Sequence, residues 1–150
     1  MRIALYQPEI AQNVGAVLRL GACFGVAVDL IEPMGFEWDD KRVRRTAMDY
    51  IDAVDITRHS DFAAFLETSG SARIVLFTTK GRSSPFDLKF RNGDILLFGK
   101  ESGGVPPEVS LHCEAAVRIP IREQVRSLNL ATSAAIGLSE ALRQTNGLVQ

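Results

Sequence analysis

Three short stretches hold residue types that could do chemistry, and they lie far apart in the chain. The first is "NVGAVLR", with an amide at Asn13, a glycine at Gly15 and a cation at Arg19. The second is "GKESGGVPPE", residues 99–108, where the apolar run "DILLF" stops at a glycine and one acid, Glu101, stands among small residues. The third is "RSLN", ending in Ser127, Leu128 and Asn129. An amide, a guanidinium and a carboxylate can orient a polar substrate and hold an anion, but arginine stays protonated and cannot act as a base. Glycines in a loop allow positive φ and let another group approach the backbone closely. At this point "GKESGG" has two readings: a ligand-facing loop, or a tight connection to a helix whose first turn holds Pro106 and Pro107.

Familiar catalytic patterns are missing. A dinucleotide fingerprint needs three spaced glycines after the first strand, and "QPEIAQNVGAV" has only Gly15. A phosphate loop needs Gly-Lys followed by Ser or Thr, whereas Gly99 and Lys100 precede Glu101. There is no Gly-x-Ser-x-Gly elbow. The two histidines, His59 and His112, have no metal-like spacing; His59 reads as a polar loop residue and His112 as a helix-end residue. Cys23 and Cys113 lie too far apart for a zinc motif or a disulfide framework, which suits a reducing, cytoplasmic setting.

The elements that must position these residues alternate between two periodicities. Strands are expected at 2–6, 26–32, 72–79, 94–99 and 115–121, most of them nearly continuous apolar runs. Helices are expected at 13–25, 39–50, 60–70 and 128–144. Apolar runs of this kind imply burial on both faces, hence an α/β fold with a parallel sheet covered by helices. In such sheets ligands bind beyond the carboxyl ends of strands. The loops "QPE", "EPMG", "TTKG", "GKESGG" and "PIREQVRSLN" all follow expected strands, so several loops are expected to build one site. The last helix is rich in small residues, including Ala131, Ser133, Ala134, Ala135, Gly137, Ser139 and Ala141. They allow close approach of either the sheet or a second subunit.

With 150 residues, 46% hydrophobic and 23% charged, the chain is expected to be one globular domain over 1–150. A net charge of −1 means that any nucleic-acid surface must be local. No apolar stretch reaches membrane-spanning length, and the Pro8 break argues against a signal peptide.

Taken together, "NVGAVLR", "LFGKESGGVP" and "RIPI…VRSLNLATSAAI" resemble the motifs of the SPOUT class of RNA methyltransferases, in its ribose 2′-O-methylating branch. The stretch "IEPMGFEWDDKRVRRTAMDY" is similar to those acting on the tRNA wobble nucleotide, in the anticodon stem-loop. The resemblance spans essentially the whole chain. It implies a Rossmann-like SPOUT fold with a C-terminal deep trefoil knot, S-adenosylmethionine as cofactor, no metal, and a homodimer in which one subunit's arginine completes the other's site. It further implies a cofactor pocket of Phe77, Thr78, Gly99, Glu101, Ile119, Ser127 and Leu128, with Ile119 and Leu128 around the adenine. By the same resemblance Arg19 takes the catalytic role, either activating the 2′-hydroxyl or clamping phosphate. Asn13 and Asn129 orient the site by hydrogen bonds, Glu101 orients Arg19 or the ribose, and Asn129 has capping of the last helix as its alternative. Lys41, Arg42, Arg44 and Arg45 form the expected RNA surface, or else a solvated face paired with Asp39, Asp40 and Asp49. Three positions depart from the family pattern: Val125, "LATSA" and Lys100.

Overall fold

The computed structural model describes residues 1–39 and 48–148. Six strands form one sheet: β1 (Arg2–Tyr6), β2 (Ala27–Ile31), β3 (Ile56–His59), β4 (Ile74–Phe77), β5 (Ile95–Phe98) and β6 (Ala115–Val117). Their order is β3-β2-β1-β5-β4-β6 and every pairing is parallel. Among the described residues, four α-helices accompany them: α1 (Ala11–Phe24), α2 (Phe62–Ser69), α3 (Pro107–Ser110) and α4 (Leu130–Gln144), with a 3₁₀ turn at Met48–Ala53.

Strand alternation explains why both faces are dry. Ile3, Leu5, Val28, Leu30, Leu96 and Phe98 point to one face, where α1 supplies Val14, Val17 and Leu18 and α4 supplies Ala134, Leu138 and Ala141. Ala4, Tyr6, Ile31, Ile74, Ile95 and Leu97 point to the other, covered by Phe65 of α2 and Val109 of α3. Burying each such aliphatic side chain contributes roughly 1.5–3 kcal/mol, so the continuous apolar runs are what a sheet covered on two sides requires.

The small residues of α4 are explained in part by the sheet. A methyl at Gly137 would lie 2.6 Å from ring atoms of Phe77, so the helix sits against β4 only because that side chain is absent. Phe77 cannot yield, since its ring stacks on Phe98 at 4.7 Å and on Phe90 at 6.4 Å.

Two expectations need revision, and one strand was not expected. Strand β3 lacks an apolar run because it is an edge strand whose Thr57 and Arg58 face solvent. His59 is not a loop residue: it ends β3, is 4% exposed, and its Nε2 lies 2.8 Å from Asp29 Oδ1 on β2. The expected strand 115–121 ends at Val117, and the chain from Arg118 onward turns into the site. The expected helix 39–50 falls mostly on residues outside those described, and its last three residues begin the 3₁₀ turn.

Candidate functional site

The loop after β5 is a closed turn. Lys100 and Gly104 exchange both main-chain hydrogen bonds, N to O at 3.1 Å and 2.8 Å. Gly104 has φ +66°, and a Cβ on Gly99 would come within 2.3 Å of the Gly104 carbonyl carbon. These glycines are therefore demanded by the turn itself. That differs from glycines standing aside for a ligand: the turn's conformation comes first, and its outer surface is what a ligand would meet.

A polar chain ties this turn to two other loops. Glu101 Oε2 accepts the Glu9 N–H at 2.7 Å, and Oε1 accepts the Ile10 N–H at 3.3 Å and the Asn13 Nδ2–H at 2.9 Å. The Asn13 carbonyl oxygen accepts from Asn129 Nδ2 at 2.8 Å. Asn129 Oδ1 in turn caps α4, accepting from Ala131 N at 2.9 Å and Thr132 N at 3.2 Å. Helix α1 has no side-chain cap of its own at Ile10, so Glu101 brings the carboxylate to its start from 91 residues away in sequence. Asn129 thus caps its helix and also bonds Asn13 at the cavity. Glu101 gives its oxygens to Asn13 and to main-chain N–H groups of the first loop, which fixes the frame in which any substrate would lie.

Above this frame lies an open cavity of about 1140 Å³ at the carboxyl ends of β4, β5 and β6. Its lining includes every residue expected for the cofactor: Phe77, Thr78, Gly99, Glu101, Ile119, Ser127 and Leu128. Asn13 and Asn129 reach it as well. The volume slightly exceeds the usual range for small-molecule sites, roughly 300–1,000 Å³, and the walls mix aliphatic side chains with main chain and hydroxyls.

Arg19 lies elsewhere. It is on the exposed face of α1, with its guanidinium carbon 5.0 Å from the centre of the Tyr50 ring, and does not line the cavity. Lys41, Arg42, Arg44 and Arg45 fall outside the described residues. Sequence reasoning overlooked other cations: Lys80, Lys100, Arg118 and Arg126 all line the cavity. Lys80, Lys100 and Arg126 sit in loops marked as strand-end segments, whereas Arg118 was expected inside the strand 115–121; nothing in their spacing distinguished these cations from ordinary surface charge. Glu9 was overlooked too. Its carboxylate accepts the Ser102 hydroxyl and N–H, both at 2.8 Å, and these bonds hold its pKa below the usual carboxylate range. Among the described residues, no group of three or more His, Cys, Asp or Glu side chains could hold a metal ion.

Residues 1–139 match the SpoU rRNA Methylase family. The chain belongs to this family. Curated SpoU relatives include the tRNA (cytidine(34)-2'-O)-methyltransferase of Beijerinckia indica, 49% identical over 99% of this chain and 94% of the relative. The enzyme of the same name from Escherichia coli K12 is 42% identical over 96% and 93%. A structure solved to explain 2-OH methylation of C/U34 on tRNA superposes with a TM-score of 0.92 at 43% identity, covering 97% of this chain and 96% of that one. An AdoMet-bound rRNA methyltransferase from Sinorhizobium meliloti superposes with a TM-score of 0.84 at 26% identity, over 95% of this chain and 55% of that one. The parallel α/β fold is thus that of SpoU enzymes, as the sequence motifs implied.

Proposed function

We propose that this protein is an S-adenosylmethionine-dependent tRNA methyltransferase acting on the ribose 2′-hydroxyl of the wobble nucleotide, position 34. One observation carries the reading: three motifs distant in sequence converge on a single cavity through the chain Glu101–Asn13–Asn129. The near full-length relatives that act on cytidine 34 support the choice of nucleotide.

The cavity fits the cofactor on its own terms. Ile119 and Leu128 offer aliphatic surfaces for a flat heteroaromatic ring, while Thr78, Gly99 and Ser127 bring polar main-chain and hydroxyl groups to its edge. S-adenosylmethionine supplies a methyl on a positively charged sulfur, already an excellent electrophile. What remains for the protein is alignment and management of one proton. In the transfer, the sulfur–methyl bond breaks as the oxygen–methyl bond forms, and the hydroxyl proton leaves to solvent. A permanently charged arginine beside that hydroxyl favours its ionised form and clamps the neighbouring phosphate.

Arg19 has that role in this reading. Its place on the exposed face of α1, away from its own cavity, supports a homodimer in which one subunit's Arg19 completes the other's site. Lys80, Lys100, Arg118 and Arg126 would meet the RNA backbone at the cavity, and Lys41, Arg42, Arg44 and Arg45 are the further RNA contacts of this reading. A single domain over 1–150 working with tRNA in the cytoplasm completes the proposal; no described helix is long and apolar enough to cross a membrane. The deep trefoil knot belongs to it as well. It is supported by membership of the SpoU family.

The test uses purified protein, labelled S-adenosylmethionine and total tRNA from cells lacking the enzyme, with the product mapped by mass spectrometry. A 2′-O-methyl at position 34 is the expected result. Methylation at another nucleotide would keep the chemistry and overturn the choice of site. Arg19→Ala should abolish turnover while leaving cofactor affinity nearly unchanged, and equal losses in both would remove Arg19 from the chemistry.

A further inference from the structure

We propose that Glu9 is a positioning residue for cofactor binding, holding the 99–104 turn in the shape that forms one wall of the cavity. The inference rests on the reading of that cavity as the S-adenosylmethionine site. Neither Glu9 nor its partner Ser102 belongs to the motif residues assigned above.

The geometry is a reciprocal clasp. Glu101 of the turn accepts the N–H of Glu9 at 2.7 Å, and Glu9 accepts the N–H of Ser102 at 2.8 Å. The Ser102 hydroxyl donates to the second oxygen of Glu9, also at 2.8 Å. Two carboxylates on two loops each bind the main chain of the other loop, so the loops are fixed in both position and direction. The base of the turn is closed by the Lys100–Gly104 pair, whereas its tip at 101–102 is tied by this clasp.

Of the two loops, the one bearing Glu9 is the anchored end. It leaves β1 through Gln7, a non-glycine residue at φ +47°, a conformation that persists only where surroundings enforce it. On its far side the Pro8 carbonyl accepts the Gly35 N–H at 2.9 Å, and a Cβ on Gly35 would lie 2.8 Å from the Glu9 Cα. Glu9 is thus wedged between the loop after β2 and the turn after β5. Lys100, Ser102, Gly103 and Gly104 of that turn all line the cavity. Without the Glu9 carboxylate Ser102 loses both bonds, the tip is held only through Glu101, and a cofactor would have to order Ser102 and the glycines after it on binding. Affinity for the cofactor should therefore fall, while the aligned complex, once formed, reacts as before.

The test compares Glu9→Ala, Glu9→Gln and Ser102→Ala with the unsubstituted protein by calorimetric titration of S-adenosylmethionine and by tRNA methylation at saturating cofactor. Glu9→Ala should raise the cofactor Kd about tenfold, the scale of one charge-assisted hydrogen bond, with kcat falling less than about twofold. Glu9→Gln should stay within about threefold in Kd, because its amide can accept from the Ser102 N–H and donate to the Ser102 hydroxyl. Ser102→Ala should fall between the two, and it decides alone where Glu9→Ala does not fold. A Kd for Glu9→Ala or Ser102→Ala equal to that of the unsubstituted protein overturns the proposal and leaves the cofactor site standing. A loss of kcat at unchanged Kd also overturns it. An unsubstituted protein that binds no S-adenosylmethionine overturns the site itself, and the role of Glu9 with it.

Discussion

Replacing Asn13 by alanine separates a framing role from a chemical one. The amide is 8% exposed and makes two side-chain bonds, donating to Glu101 at 2.9 Å and accepting from Asn129 at 2.8 Å. A hydrogen bond to a charged acceptor contributes about 1.5–3 kcal/mol and a neutral one about 0.5–1.5. Glu101 would keep the Glu9 and Ile10 N–H groups, and Asn129 would keep its cap, so neither is orphaned. Water can also reach both, which places the expected cost of Asn13→Ala near the low end of the sum, about 2 kcal/mol. Asn13→Asp should cost more, about 3 kcal/mol or above, because it sets a second carboxylate where the Glu101 oxygen now finds a donor. Urea unfolding near neutral pH with an unchanged m value reads both costs directly. Stability within about 0.5 kcal/mol for Asn13→Ala, together with collapsed methyl transfer, would refute the framing role and place the amide on the substrate. An aspartate variant no worse than alanine would refute Glu101 as a charged acceptor.

Three further perturbations test other parts of the structure. Gly99→Ala pushes a methyl into the Gly104 main chain and should cost about 3 kcal/mol in urea unfolding, because neither backbone can swing aside. His59→Ala leaves Asp29, 1% exposed, with Arg2 at 3.4 Å as its one ion-pair partner among the described residues, and should cost about 3–5 kcal/mol by the same measurement. Hydrogen bonds from Arg143 and Gln144 bring the Glu140 pKa down to about 2, so its carboxylate stabilises the fold above the ordinary carboxylate range. That contribution is lost as pH falls from about 5 toward 2; Glu140→Gln should lower the urea midpoint at neutral pH, and the difference should vanish in acid.

The class of fold follows from the pattern of residues alone. Apolar runs long enough to be buried on both faces leave a helix-covered parallel sheet as the solution, and β1, β2, β4 and β5 fall inside those runs. Strand-end loops were legible for the same reason, since a ligand in such a sheet sits at the carboxyl edge. The edge strand β3 was not legible, because an exposed edge needs no apolar period. Nor was the pairing of His59 with Asp29, which arises only when β3 lies beside β2 and sets the His59 ring edge-on to Phe65. In the site, the family resemblance named Asn13, Glu101 and Asn129 as orienting residues but not the bonds that join them. Their bonds join residues 88 and 116 apart in sequence. The same holds for Glu9 and Ser102, 93 apart, whose types are common on any surface. Local patterns report propensity and burial, which neighbouring residues dictate. A hydrogen bond of long sequence separation depends on where whole strands stop relative to one another, and only the tertiary structure decides that.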